Sequence, residues 1–182
     1  MNIAVFCSSS NQVPTAYKQV AFLLGQFIAE SGNTLVYGGS TGGTMDDIAL
    51  GATEKRGKII GVIAQPIIKM HRQSILPTEL IVIENLSERK NKIKQLADVF
   101  VVLPGSYGTF DEMLDVIASG VVGEHHKPLV ILNEHHFFDD FISQINKMKA
   151  EKLLPEPENY QPIFVDDIHQ CKAFLQSFSI KN

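Results

Sequence analysis

The chain has 182 residues, 45% of them hydrophobic and 20% charged, enough for one domain with a substantial core. A net charge of −4 and a pI of about 5.8 argue against a nucleic-acid polymer or an anionic membrane surface as partner. A small anion in a locally positive site stays open. Two cysteines, Cys7 and Cys171, are too few for a disulfide framework and lack metal-site spacing, the pattern of reduced thiols in a cytoplasmic protein.

The opening MNIAVFCSSS has no basic segment before its short apolar run, so it predicts a first strand and not a signal peptide. No apolar run reaches the length of a membrane span. Residues 14–31 carry Val20, Leu23, Leu24, Phe27 and Ile28 on one helical face, and Gly32 stops that helix. TLVYGG predicts the second strand, residues 44–56 a helix, KIIGVIA the third strand and LIVIE the fourth. SERKNKIKQLA reads as a charged helix with Ser87 as its N-cap. DVFVVLP predicts the fifth strand, residues 108–122 a helix, PLVILN the sixth strand and residues 136–150 an amphipathic helix. A proline-interrupted loop, the short strand PIFV and a last helix complete the order. Strands apolar along their whole length belong to a parallel sheet covered on both faces. The expected fold is therefore α/β: a doubly wound, Rossmann-like sheet with helices on both faces, in a single domain over residues 1–182.

Ligands of such sheets bind beyond the carboxyl ends of the strands. Here those ends are CSSSN, YGGSTGG and LPGSYGT, three small-residue turns on one edge, a combination suited to a phosphate. YGGSTGGTMDD matches neither G-x-G-x-x-G nor G-x-x-x-x-G-K-[ST], which disfavours a dinucleotide dehydrogenase or a P-loop kinase. In LPGSYGTFDE, Gly108 permits a close backbone approach, and Thr109 either caps the helix or contacts an anion. Asp111 and Glu112 would also suit the positive end of a helix with no ligand at all. Arg89 and Lys90, read as lying in a first helical turn, oppose the helix dipole, and a bound anion would offset that cost. The histidine pairs at 125–126 and 135–136 show no metal-ligand spacing, and there is no G-x-S-x-G elbow.

Taken together, the three turns resemble the LOG ("Lonely Guy") phosphoribohydrolases, long labelled lysine decarboxylase-like. The family signature P-G-G-x-G-T-x-x-E stands here as Pro104-Gly105-Ser106-Tyr107-Gly108-Thr109-Phe110-Asp111-Glu112. Its preceding R-K is Arg89-Lys90, and its early Y-G-G-G turn is Tyr37-Gly38-Gly39-Ser40, with Gly43 and Met45 matching further on. The resemblance implies hydrolysis of the N-glycosidic bond of a nucleoside 5′-monophosphate, AMP or a cytokinin riboside 5′-monophosphate, to free base and ribose 5-phosphate. It implies Arg89 and Glu112 as the catalytic pair. It also implies a substrate-binding set of Gly39, Gly43, Lys90, Gly105, Ser106, Tyr107, Gly108, Thr109 and Asp111, no metal or organic cofactor, and a homodimer. Val121 and Val122, at the end of the signature helix, suit packing across a two-fold axis.

The chemistry agrees with that assignment. Breaking a ribosyl–base bond builds oxocarbenium character on the sugar, which a nearby carboxylate stabilises or exploits to activate water. The departures are specific. Ser106, Ser40, Asp46 and Ser8 replace family glycines, Ser87 stands where histidine is frequent, and residues 118–123 read ASGVVG in place of T-W-A-Q-L-G. The retained pair points to a hydrolase. The altered glycines and base-side segment point to a non-catalytic nucleotide-binding module of the same fold.

Overall fold

A computed structural model describes residues 1–155 and 159–181. Among them, seven strands form one parallel sheet in the order β4-β3-β2-β1-β5-β6-β7. The strands are β1 (Asn2–Phe6), β2 (Thr34–Tyr37), β3 (Lys58–Ala64), β4 (Glu79–Ile83), β5 (Val99–Val102), β6 (Leu129–Leu132) and β7 (Ile163–Val165). The helices are α1 (Thr15–Glu30), α2 (Gly43–Glu54), α3 (Gln65–Lys69), α4 (Leu86–Leu96), α5 (Tyr107–Val121), α6 (Asp139–Ala150) and α7 (Ile168–Lys181). None is long and apolar enough to cross a membrane.

Side-chain alternation along β1 builds the core in two layers. Ile3, Val5 and Cys7 pack under α1, α2 and α7 with Leu24, Ile48 and Leu175. Ala4 and Phe6 face the other way, towards Ile93 of α4, Met113 and Val116 of α5, and Phe138. Both faces being covered is the physical reason the strands read as continuous apolar runs.

The chain leaves β1 outward through β2, β3 and β4, then returns through α4 to β5 on the opposite side of β1. Val5 lies in register with Tyr37 on one side and Val101 on the other. The turns after β1 and β5 therefore diverge, which opens a crevice at the switch point of the sheet.

Three local expectations are corrected. Helix α3 has no counterpart in the sequence pattern: five residues with Pro66 in the first turn are too short for periodicity to show. Helix α4 starts at Leu86 with Asn85 as N-cap, its side chain accepting from the Glu88 amide, so Ser87 is already helical. Helix α6 starts at Asp139, after a 3₁₀ turn over Glu134–His136 in which His135 takes a left-handed conformation. The Asn133 carboxamide oxygen accepts from the Phe138 amide at 2.6 Å and holds this entry.

Candidate active site

A cleft of about 190 Å³ lies at the switch point, floored by Cys7 and Ser9 after β1 and by Gly38 and Ser40 after β2. The start of α5 forms one wall, with Ser106, Gly108 and Thr109, and Asp111 and Glu112 lie one turn on. Helix α4 contributes Leu86, Arg89 and Lys90 opposite.

Arg89 sits in the second turn of α4, so its conflict with the helix dipole is weaker than the sequence suggested. Its Nε donates to the Val62 carbonyl of β3 at 3.0 Å, and its Nη2 donates to Glu112 Oε1 at 2.7 Å. Both side chains are nearly buried, 11% and 5% exposed. Burial pushes the Glu112 carboxyl above its ordinary value, and the Arg89 charge offsets part of that push. Gly38 makes the arrangement sterically feasible, because a Cβ there would lie 2.2 Å from Arg89 Nη2. Sequence reasoning selected Gly39 and missed Gly38, although the quoted Tyr37-Gly38-Gly39-Ser40 motif contains both.

The start of α5 is open. Ser106 occupies the N-cap without a side-chain hydrogen bond. Thr109 lies in the first turn and is not the cap. Its side chain is buried, and among the described residues its Oγ1 has no hydrogen-bond partner. A buried hydroxyl left unpaired costs about 1–3 kcal/mol, which a ligand oxygen here would relieve. Gly105 lies beneath it, since a Cβ there would fall 2.1 Å from Thr109 Oγ1. Gly108 differs in kind, because a Cβ there would meet nothing within 4 Å.

The start of α2, unlike that of α5, is closed by its own neighbours. The Gly42 amide donates to the Asp46 carboxylate at 2.7 Å, the Gly43 amide to Asn11 Oδ1, and the Met45 amide to the Ser8 carbonyl. Gly39 and Gly43 are absent from the cleft wall. Both have positive φ, of 66° and 54°, and shape the turn. Gly39 packs on Gly61 and Ile63, and Gly43 backs onto the Ser8 and Ser10 carbonyls.

Lys90 and Asp111 face each other across the rim with Nζ–Oδ1 at 2.8 Å, and Lys90 also lies 3.5 Å from Asp115. Asp115 in turn pairs with Lys94 at 2.7 Å. The Lys90 charge is thus shared with two carboxylates. Tyr107 is 95% exposed and stands outside the cleft wall, as does Gly105. Burial pushes the Cys7 thiol up to about 12, which keeps it neutral and non-nucleophilic near pH 7. His125 packs edge-on to Tyr160 and bonds the Val116 carbonyl at 3.0 Å, a satisfied interior position. His136 lies on the surface, 3.4 Å from Asp139. Among the described residues no group of three or more His, Cys, Asp or Glu could hold a metal ion.

Arg72 also lines the cleft, with no motif behind it. It follows α3, and its Nη2 donates to the Ser9 carbonyl at 2.6 Å and the Thr41 carbonyl at 3.1 Å. It ties the β1 and β2 turns together, and no sequence periodicity or signature marks it.

Fold and site together define a parallel α/β protein with a carboxylate–guanidinium pair buried beside an uncapped helix start, at the switch point where ligands of this fold bind. The family model described as "Possible lysine decarboxylase" matches residues 45–174. A cytokinin riboside 5′-monophosphate phosphoribohydrolase of Rhodococcoides fascians is 31% identical over 177 residues, covering 97% of this chain and 89% of that protein. One from Arabidopsis thaliana is 34% identical over 180 residues, covering 99% and 84%. One from Oryza sativa is 33% identical over 154 residues, covering 85% of this chain and 64% of that protein. The chain belongs to this family, the LOG family of the resemblance. Among solved structures, TM1055 superposes with a TM-score of 0.77 at 20% identity, covering 97% of this chain and 98% of that one. The molybdenum cofactor carrier protein of Chlamydomonas reinhardtii superposes with a TM-score of 0.72 at 24% identity, covering 100% and 98%. These two likenesses show the fold alone.

Proposed function

We propose that the protein is a cytoplasmic nucleoside 5′-monophosphate phosphoribohydrolase. It cleaves the bond between the base and ribose C1′ of a substrate such as AMP or a cytokinin riboside 5′-monophosphate. The observation that carries this reading is the buried Arg89–Glu112 pair at 2.7 Å, set beside the open start of α5. The first-turn amides of α5 and the orphan Thr109 hydroxyl suit the 5′-phosphate. That placement lays the ribose over Glu112, one turn further along the same helix.

As the C1′–N bond lengthens, positive charge grows on the sugar. An ionised Glu112 opposes that charge or takes a proton from the water that adds to C1′. The bonding electrons leave with the base, which takes up a proton from solvent, while the water that adds to C1′ gives one up, so one water is consumed for each base released. Arg89, anchored through Nε on the Val62 carbonyl, holds the carboxylate through Nη2 and stabilises negative charge on the departing side. The relatives named for this reaction support the assignment at the level of reaction class.

We also propose a homodimer. Its candidate face is the apolar groove between α5 and α6, lined by Leu114, Ile117, Val121, Phe141 and Ile145, with Val122 73% exposed beside it.

The deciding experiment incubates the protein with a panel of nucleoside monophosphates and measures free base by chromatography. Glu112→Gln should lower kcat by about a hundredfold or more while nucleotide affinity changes little. Arg89→Ala should damage both. Tight nucleotide binding by the wild type without release of base would establish a non-catalytic module and refute the hydrolase.

A further inference from the structure

We propose that Arg72 is a phosphate-binding residue of this site and that it sets the preference for a phosphorylated over an unphosphorylated nucleoside. The proposal rests on the reading of the cleft as a nucleoside monophosphate site.

Three cations line the cleft: Arg72, Arg89 and Lys90. Arg89 is paired with Glu112, and Lys90 is shared between Asp111 and Asp115. Among the described residues no carboxylate forms an ion pair with Arg72. A phosphate monoester carries about −1.5 to −2 charges near pH 7, whereas a helix start presents about +0.5. The start of α5 therefore neutralises only a fraction of the ligand, and the Arg89–Glu112 pair adds no net charge. Arg72 supplies the missing positive charge.

Its placement fits that role. Nη2 makes the two carbonyl bonds, so Nη1 and Nε retain N–H groups for a ligand. The Ser9 carbonyl that anchors it follows β1, which is flanked by β2 and β5. Arg72 lines the same cleft as Ser106, Gly108 and Thr109 at the open start of α5. A phosphate between them meets amides and the Thr109 hydroxyl on one side and a planar, always charged fork on the other. Gly42 leaves room for the fork, since a Cβ there would lie 3.2 Å from Nη2.

The test measures binding of ribose 5-phosphate and of adenosine by titration calorimetry to wild type, Arg72→Met and Arg72→Lys. Arg72→Met should weaken ribose 5-phosphate by roughly tenfold to a hundredfold, the scale of a lost charge-assisted contact. Arg72→Lys should recover part of that loss, and adenosine affinity should stay unchanged. A role confined to tying the two turns predicts a parallel loss of both ligands with no rescue by lysine, and that outcome overturns the proposal. So does wild-type affinity for ribose 5-phosphate in Arg72→Met, or the absence of such binding in the wild type. Phosphate binding that depends on Arg72, in a protein that releases no base, leaves this proposal standing and sinks the hydrolase.

Discussion

Replacing Gly38 by alanine adds one methyl group at the point where the guanidinium of Arg89 lies. The new Cβ would begin 2.2 Å from Nη2, and ordinary contact begins near 3.4 Å, so the guanidinium must retreat by about 1.2 Å. Along the line to Glu112, that retreat opens the 2.7 Å bond beyond hydrogen-bond range; otherwise it pushes the carboxylate off its position. A charge-assisted hydrogen bond is worth about 1.5–3 kcal/mol. For a domain of this size, each kcal/mol shifts Tm by about 2–4 °C, so Tm should fall by about 3–12 °C and the protein should still fold. Activity should suffer more, because a misplacement of about 1 Å at a reacting group costs on the order of a hundredfold. The assay is kcat for base release, with Tm measured on the same samples. A double-mutant cycle adds a control: once Arg89→Ala has removed the obstacle, Gly38→Ala should cost no further stability. Full kcat in Gly38→Ala would refute the claim that this glycine exists to seat the guanidinium, and with it the importance of the pair's geometry.

Gly108→Ala should leave Tm unchanged or raise it slightly, since its Cβ meets no atom of the protein and alanine is the better helix former by about 1 kcal/mol. Nucleotide affinity should fall because the methyl enters the cleft, and calorimetry showing unchanged affinity would place the ligand elsewhere. Burial holds Glu112 protonated above its ordinary 4.5, so the native chain keeps a proton that the unfolded chain has released. Stability should therefore fall as pH rises from 4.5 through the native value, and Glu112→Gln should lose that slope; denaturant unfolding between pH 4 and 8 reads both, and a rising contribution from Glu112 would contradict the assignment. The acidic limb of kcat should likewise lie above 4.5 and vanish in Glu112→Gln. Light scattering at micromolar concentration should give the mass of a dimer, and Val122→Asp with Leu114→Asp should give the monomer; a monomeric wild type would rule out the proposed face.

The order of elements, the parallel sheet and its ligand-bearing edge are legible in the chain because each rests on local rules. Continuous apolar runs such as residues 59–64 mark strands covered on both sides, and Gly32 ends a helix where its φ of 69° demands it. Arg89 and Glu112 could be picked out through short motifs, since each lies within a few residues of a recognisable turn. Their meeting could not, because 23 residues and one strand separate them, and the sheet order alone brings α4 and α5 together over β1. The same holds for the roles of the glycines. Gly38, Gly39, Gly42 and Gly43 are equivalent as letters, yet Gly38 seats a guanidinium contributed by α4, while Gly39 and Gly43 take the left-handed conformation of the turn. Asp46 and Asn11 close one helix start, and among the described residues no side chain caps the other, a distinction set by which side chains reach which amides. Arg72 was invisible for the most general reason: its neighbours, Ser9 and Thr41, are 63 and 31 residues away. A charge that matters through the groups that fail to neutralise it has no signature in its own segment; it is defined by the potential of the folded cleft.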